Sequence, residues 1–221
     1  MIPIISVVYF LLCGLICFAA PIGVAIYMRK VFYAEKSPFA AGMVLYLVFI
    51  TVGKYFVDKA LFGLTGLGGN LWAYAGISGF TTALLGCAAR LVGFGACMPQ
   101  NHETERENAI MFGAGYGGIE IIIAIGINML SYFVFSLIFN YNPDYLLGGA
   151  NRSEWEEIQQ FLCNLSPVTV LWFTIESLVR LSLQIEISIL MFTYVRNRNF
   201  LYFGLVFVLQ WFIGTILILS N

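Results

Sequence analysis

Residues 108–139 read NAIMFGAGYGGIEIIIAIGINMLSYFVFSLIF, and Glu120 is the single charged side chain among them. A bilayer core about 30 Å thick is crossed by roughly 20 apolar residues of helix, so this run reads as a membrane span. Its first third holds Gly113, Gly115, Gly117 and Gly118. These glycines predict a helix that starts broken or closely packed, admitting a neighbour's backbone. Five more stretches of sufficient length flank it, near Ile4–Met28, Pro38–Phe62, Leu71–Ala96, Pro167–Val195 and Phe200–Leu219. Several are longer than a minimal span, so tilt, breaks or extension beyond the bilayer are expected. The fold class expected is all-α: a polytopic integral membrane protein with about six transmembrane helices in one bundle. Residues 1–221 are read as one transmembrane helical domain.

Composition points the same way. Of 221 residues, 60% are hydrophobic and 10% charged, against roughly 45–50% and about 25% in soluble domains. So few polar side chains could not cover a globular surface. A formal net charge of −1 gives no bulk attraction to nucleic acid or to an anionic bilayer. The five cysteines, at 13, 17, 87, 97 and 163, are odd in number and irregularly spaced, which argues against a disulfide framework. Cys13 and Cys17 lie one helical turn apart with no histidine or carboxylate nearby, so they are read as packing residues. The first apolar run lacks a basic segment before it and is followed by Arg29 and Lys30, as a retained first span would be.

Basic residues near the span ends decide the expected orientation. Arg29, Lys30, Lys36, Arg106, Arg196 and Arg198 fall on one side, and Lys54, Lys59 and Arg152 on the other. The positive-inside rule places the first group in the cytoplasm and both termini outside. The turn PQNHETERE, residues 99–107, carries His102, the only histidine. His102-Glu103 begins like HExxH, but Arg106 stands where the second histidine ligand belongs, so a solvated turn and no metal site is expected. Between 140 and 166, Ser153 precedes Glu156 at capping-box spacing. SEWEEIQQFL is expected to form a short amphipathic external helix, with Trp155, Ile158, Phe161 and Leu162 facing lipid or protein. Asn151 and Asn164 begin glycosylation-type triplets that carry no meaning in a bacterial setting.

Charges within hydrocarbon cost roughly 2.5–3.5 kcal/mol on insertion scales and face interiors or cavities. Arg90, Glu120, Glu176, Arg180 and Glu186 qualify. Glu176 and Arg180 share a helical face at i, i+4, and Gln184 continues that stripe. Arg90 and Glu120, opposite in sign on consecutive spans, are expected to meet, with Tyr116 one turn from Glu120. This defines a buried polar site of Arg90, Tyr116, Glu120, Glu176, Arg180 and Gln184. The same charges could serve as structural ion pairs that fix helix register.

The run from Asn108 to Glu120 also resembles the glycine-rich GxGHGGIE segment of YhfC-type intramembrane proteases. These fall in the broad superfamily of CAAX-prenyl endopeptidases and bacteriocin-processing membrane enzymes. The resemblance extends to Pro21 in the first span, Arg90 in the third, the Glu176/Arg180 helix and the last span. It implies a pair of adjacent glutamates ahead of an arginine, activating a water held by histidines of later helices. Such chemistry needs a carboxylate base and polar groups for the tetrahedral oxyanion. By position the arginine is Arg90, while the glutamates fall on Gly86 and Cys87. The histidine of GHGGIE falls on Tyr116, and the last-helix histidine on Gln210. The resemblance therefore implies a catalytically degenerate member, with no cofactor or metal, that binds a membrane peptide or membrane-protein partner without cutting it. An active peptidase with a site rearranged around Glu120, Glu176 and His102, or a subunit of a peptide or antibiotic exporter, are the alternatives. The expected setting is the plasma membrane of a bacterium, with lipid bilayer and no nucleic acid as partner.

Overall fold

The computed structural model describes residues 1–65, 69–96, 105–143 and 152–219. The described residues are helical throughout their ordered elements: α1 (Ile4–Phe32), α2 (Ser37–Tyr46), α3 (Lys54–Thr65), α4 (Leu71–Ala96), α5 (Glu105–Ile121), α6 (Ile127–Tyr141), α7 (Arg152–Asn164), α8 (Pro167–Asn197) and α9 (Phe200–Leu219). Two π-helical turns, Leu47–Gly53 and Ile122–Gly126, join α2 to α3 and α5 to α6. Each joined pair therefore forms one long rod. Six helical rods are long and apolar enough to cross a membrane: Ile4–Phe32, Ser37–Leu64, Leu71–Ala96, Arg106–Tyr141, Pro167–Asn197 and Phe200–Leu219. The protein is an all-α, polytopic membrane protein. Helices suit that solvent because every backbone amide is satisfied within the segment. Cys97, His102, Asp144 and Asn151 lie outside the described residues.

The chain divides into two compact units. The first comprises Met1–Gly23 and Glu120–Leu181. Its core gathers Phe10, Cys13, Cys17, Ile125, Met129, Phe139, Leu162 and Val170. Gly14 and Gly126 let α1 and the fourth span approach closely: a Cβ at Gly14 would meet Leu130 Cδ2 at 2.6 Å, and one at Gly126 would meet Cys17 Cβ at 3.0 Å. The Asn140 amide clamps the start of the chain, accepting from Ile2 N at 2.8 Å and donating to Ile2 O at 3.0 Å. Helix α7 lays Leu162 fully into this core, with Trp155 and Ile158 packed on it and Phe161 half exposed. The helix begins at Arg152, so Ser153 lies inside its first turn rather than capping it, and Glu156 instead pairs with Arg152 at 2.6 Å.

The second unit comprises Val24–Ile119 and Ser182–Asn221. Helix α4 is its centre, with 56% of its span window buried against 17% for α9. The reason lies in its residues. Ala75, Gly79, Ala83, Gly86, Arg90 and Gly93 recur at helical spacing and are all buried. Small residues let backbones approach, the main source of helix association in lipid, where apolar side chains gain little by burial against one another. At the α4–α9 crossing a Cβ on Gly79 would stand 2.8 Å from Thr215 N. The glycines of the fourth span act similarly. Helix α5 runs unbroken through them, and the distortion falls later, at the π-helical turn. A Cβ on Gly113 would reach Ile185 Cα at 2.7 Å, and one on Gly115 would strike the backbone of Phe39, 2.8 Å from its carbonyl carbon. Gly42 of α2 answers from the other side, its Cβ position 2.8 Å from Tyr116 N.

This crossing fixes the height of Tyr116 on α5. Gly115→Ala should lose about 1–3 kcal/mol of stability, the usual cost of overpacking. Gly204→Ala, where a Cβ meets nothing within 4 Å, should be neutral or gain up to about 1 kcal/mol from helix propensity. Thermal unfolding of the two variants in one detergent checks the contrast.

Candidate functional site

Arg90 is wholly buried on α4. Its guanidinium turns back one turn, donating from Nη1 to Gly86 O at 3.1 Å. Nε donates to Ser188 Oγ at 3.1 Å, and Nη2 donates to Gln184 Oε1. Gln184 and Ser188 stand four apart on α8, so one helical face supplies both acceptors. Ser188 Oγ itself donates to Gln184 O at 2.8 Å. The guanidinium carbon lies 4.1 Å from the centre of the Tyr116 ring, a cation–π stack strengthened by exclusion of water. Tyr46 meets that ring edge-on at 5.1 Å and Phe112 stacks on it at 6.2 Å.

Gln210 enters from α9. Its amide covers Gly86, where a Cβ would lie 2.6 Å from Nε2 and 2.7 Å from Oε1. Cys87 Sγ lies 3.8 Å from Gln210 Oε1. Gly86, Cys87, Arg90, Tyr116, Gln184 and Gln210, scattered over four helices in sequence, thus meet in one cluster of the second unit. Chemically it is a delocalised cation met by neutral acceptors and a ring face.

Glu120, Glu176 and Arg180 gather in the first unit. Arg180 grips Glu176 Oε1 through Nε at 2.9 Å and Nη2 at 2.5 Å. Its Nη1 lies 3.9 Å from Glu120 Oε1. Glu176 is 40% exposed and Glu120 12%, so the longer contact is the better shielded. Glu186 is exposed on α8 and joins neither group.

Sequence reasoning missed a third polar group, in the second unit. Lys54 donates to Asp58 on α3 and to Ser78 Oγ on α4, the latter at 2.5 Å. Ser78 Oγ donates to Asp58 Oδ2 at 2.9 Å, and Thr81 Oγ1 donates to Asp58 Oδ1 at 2.6 Å. Lys54 and Lys59, both within the expected span Pro38–Phe62 and the observed span Ser37–Leu64, were weighed only as votes on orientation. The signal available was the i, i+4 spacing of Lys54 and Asp58 in apolar surroundings, opposite a Ser and a Thr three apart. Among the described residues no three His, Cys, Asp or Glu side chains gather closely enough to hold a metal ion.

Six apolar spans with ion pairs and a caged arginine at their polar positions define a polytopic helical membrane protein. The chain belongs to the YhfC intramembrane metalloprotease family, whose model matches residues 16–221. It is 25% identical over 202 residues to the uncharacterized membrane protein YhfC of Bacillus subtilis (strain 168), covering 88% of this chain and 77% of that protein. No solved structure matches it.

In the first unit, Arg180→Met leaves Glu120 shielded without its cation and should cost about 3–5 kcal/mol. Adding Glu120→Gln should recover part of that loss, a coupling that a double-mutant cycle reads directly. Glu176→Gln alone should cost less than about 1 kcal/mol, as half-exposed pairs do.

Proposed function

We propose that this chain is a non-proteolytic member of its family, a membrane binding or scaffold protein that recognises a membrane peptide or protein partner without cutting it. The observation that carries this reading is the fit of Gln210 against Gly86 and Cys87. These are the positions where the family resemblance puts a general base and its histidine partner. Here an amide fills the space that a glutamate side chain would need. Glycine has no group to offer, and a thiol enclosed beside an amide has no base to activate it. General-base catalysis is typically worth ~10²–10⁴-fold, and neither the Cys87 thiol nor the Gln210 amide supplies it.

The family's description as metalloproteases invites a test of the donor set. Around Gly86 the available donors are one thiol and one amide oxygen, with the Arg90 guanidinium donating into the Gly86 carbonyl at 3.1 Å. A permanent cation against two weak donors does not fit a divalent metal, which wants three or four thiolate, imidazole or carboxylate ligands. The carboxylates left for a rearranged site, Glu120 and Glu176, both face the guanidinium of Arg180. Such a set offers no base to a hydrolytic water. This proposal takes a bacterial plasma membrane from the family resemblance and both chain termini outside from the distribution of basic residues.

Reconstituted protein incubated with candidate membrane peptides should yield no cleavage products. Cleavage by the unmodified chain that disappears in Glu120→Gln would contradict the reading. Gly86→Glu alone should destabilise the fold, because its side chain meets the Gln210 amide. The combination Gly86→Glu, Cys87→Glu, Tyr116→His and Gln210→His is the variant in which activity could return.

A further inference from the structure

Lys54 and Asp58, held from behind by Ser78 and Thr81, line a cavity of about 450 Å³ in the second unit, edged by Lys59, Tyr55, Phe62 and Tyr74. That size falls within the roughly 300–1,000 Å³ of small-molecule sites. We propose that this cavity is a binding site for an anionic phospholipid, whose phosphate is held by Lys59 and Lys54 and whose acyl chain runs deeper along Ile50.

The charge arithmetic comes from the hydrogen bonds. Two lysines and one aspartate line the cavity, leaving one net positive charge. Asp58 is turned toward α4: Thr81 donates to Oδ1, and Ser78 and Lys54 donate to Oδ2. Its negative charge is thus held by the wall. An ammonium carries three N–H donors, and Lys54 uses two of them on Asp58 and Ser78. Lys59 is exposed above the Tyr55 ring, 5.8 Å from its centre. Among the described residues no carboxylate pairs with Lys59. An anion entering the cavity would meet one whole ammonium and the third N–H of another.

Depth selects the source of that anion. At 1.5 Å per residue, Lys59 stands roughly 8 Å and Lys54 roughly 15 Å along the helix from Leu64, the end of the span. Lys59 therefore lies near the level of headgroups and Lys54 below it, in the order that a phosphate above an acyl chain requires. Only 6% of this span's window is buried, so the cavity opens sideways along an apolar helix. Tyr74, in the first turn of α4, provides an amphipathic ring of the kind favoured at that level. Basic pockets between spans bind lipid headgroups by the same logic. A local pocket suffices here, since the chain's net charge of −1 gives no general attraction.

The test uses the full chain, purified in neutral detergent, with bound lipid counted by native mass spectrometry. Phosphatidylglycerol should bind in preference to phosphatidylcholine. Lys59→Gln should weaken phosphatidylglycerol binding about fivefold, the effect of one lysine near a lipid phosphate, with an unchanged melting temperature. Lys59→Arg should retain it. Arg152→Gln removes an exposed cation elsewhere and should leave binding unchanged. Excess inorganic phosphate should not displace the lipid. Equal retention of the two lipids, indifference to Lys59→Gln, an equal loss in Arg152→Gln, or displacement by phosphate alone would each overturn the proposal.

Discussion

A buried guanidinium has to be met on every side, and Arg90 imposes that demand on the second unit. Its four engagements come from α4 itself, from Gln184 and Ser188 on α8, and from the Tyr116 ring on α5. Apolar side chains give helices in lipid little reason to adopt one register over another. A planar cation with five fixed donors does supply a reason, because only one arrangement of three helices presents acceptors along its fork. The glycine crossings follow from it. Gly42 and Gly115 bring α2 and α5 to backbone distance, and Gly113 brings α5 against α8. Tyr116 can lie flat on the guanidinium because these helices approach closely enough.

The same cage is the structural ground of the non-proteolytic reading proposed above. Arg90, Gly86, Gln184 and Ser188 already meet one another, and Gln210 occupies the space over Gly86 and Cys87. A hydrolytic site keeps a base and an open position for water, whereas this one keeps a framework arginine and closes around it. The carboxylates Glu120 and Glu176 are matched by Arg180, which serves register in the first unit as Arg90 does in the second.

The spans were legible because their signal is one-dimensional: apolar length against bilayer thickness needs no knowledge of packing. The expected limits fell within a few residues of the helices, and the GAGYGGIE run sufficed for the family. The function of single glycines was legible only as a class. Sequence indicated that Gly113 and Gly115 would admit a neighbour, but not that the neighbours are Ile185 and Phe39. Of the two outcomes expected at those glycines, close packing is the one that forms, and the break falls later, since glycine shows where a helix can bend and not where a π-helical turn will form. Arg90 illustrates a deeper limit. Opposite charges on adjacent spans suggested Glu120 as its partner, while its four engagements within the second unit are a carbonyl, an amide, a hydroxyl and a ring, none of which carries charge to betray it. Lys54 and Asp58 were overlooked for the converse reason. A lysine counted only for orientation hides its network until Ser78 and Thr81 are seen facing Asp58.

If Arg90 is a framework residue, its value lies in its fork and its flat face rather than in its charge. Thermal unfolding of Arg90→Lys beside Arg90→Met, in one detergent, separates these. Both variants should lose about 3 kcal/mol or more, because a lysine point charge cannot satisfy Gly86 O, Gln184 and Ser188 together, and each buried group left unmet costs ~1–3 kcal/mol. A Arg90→Lys protein that melts with the unmodified chain would contradict this account and show that positive charge alone is what the position requires.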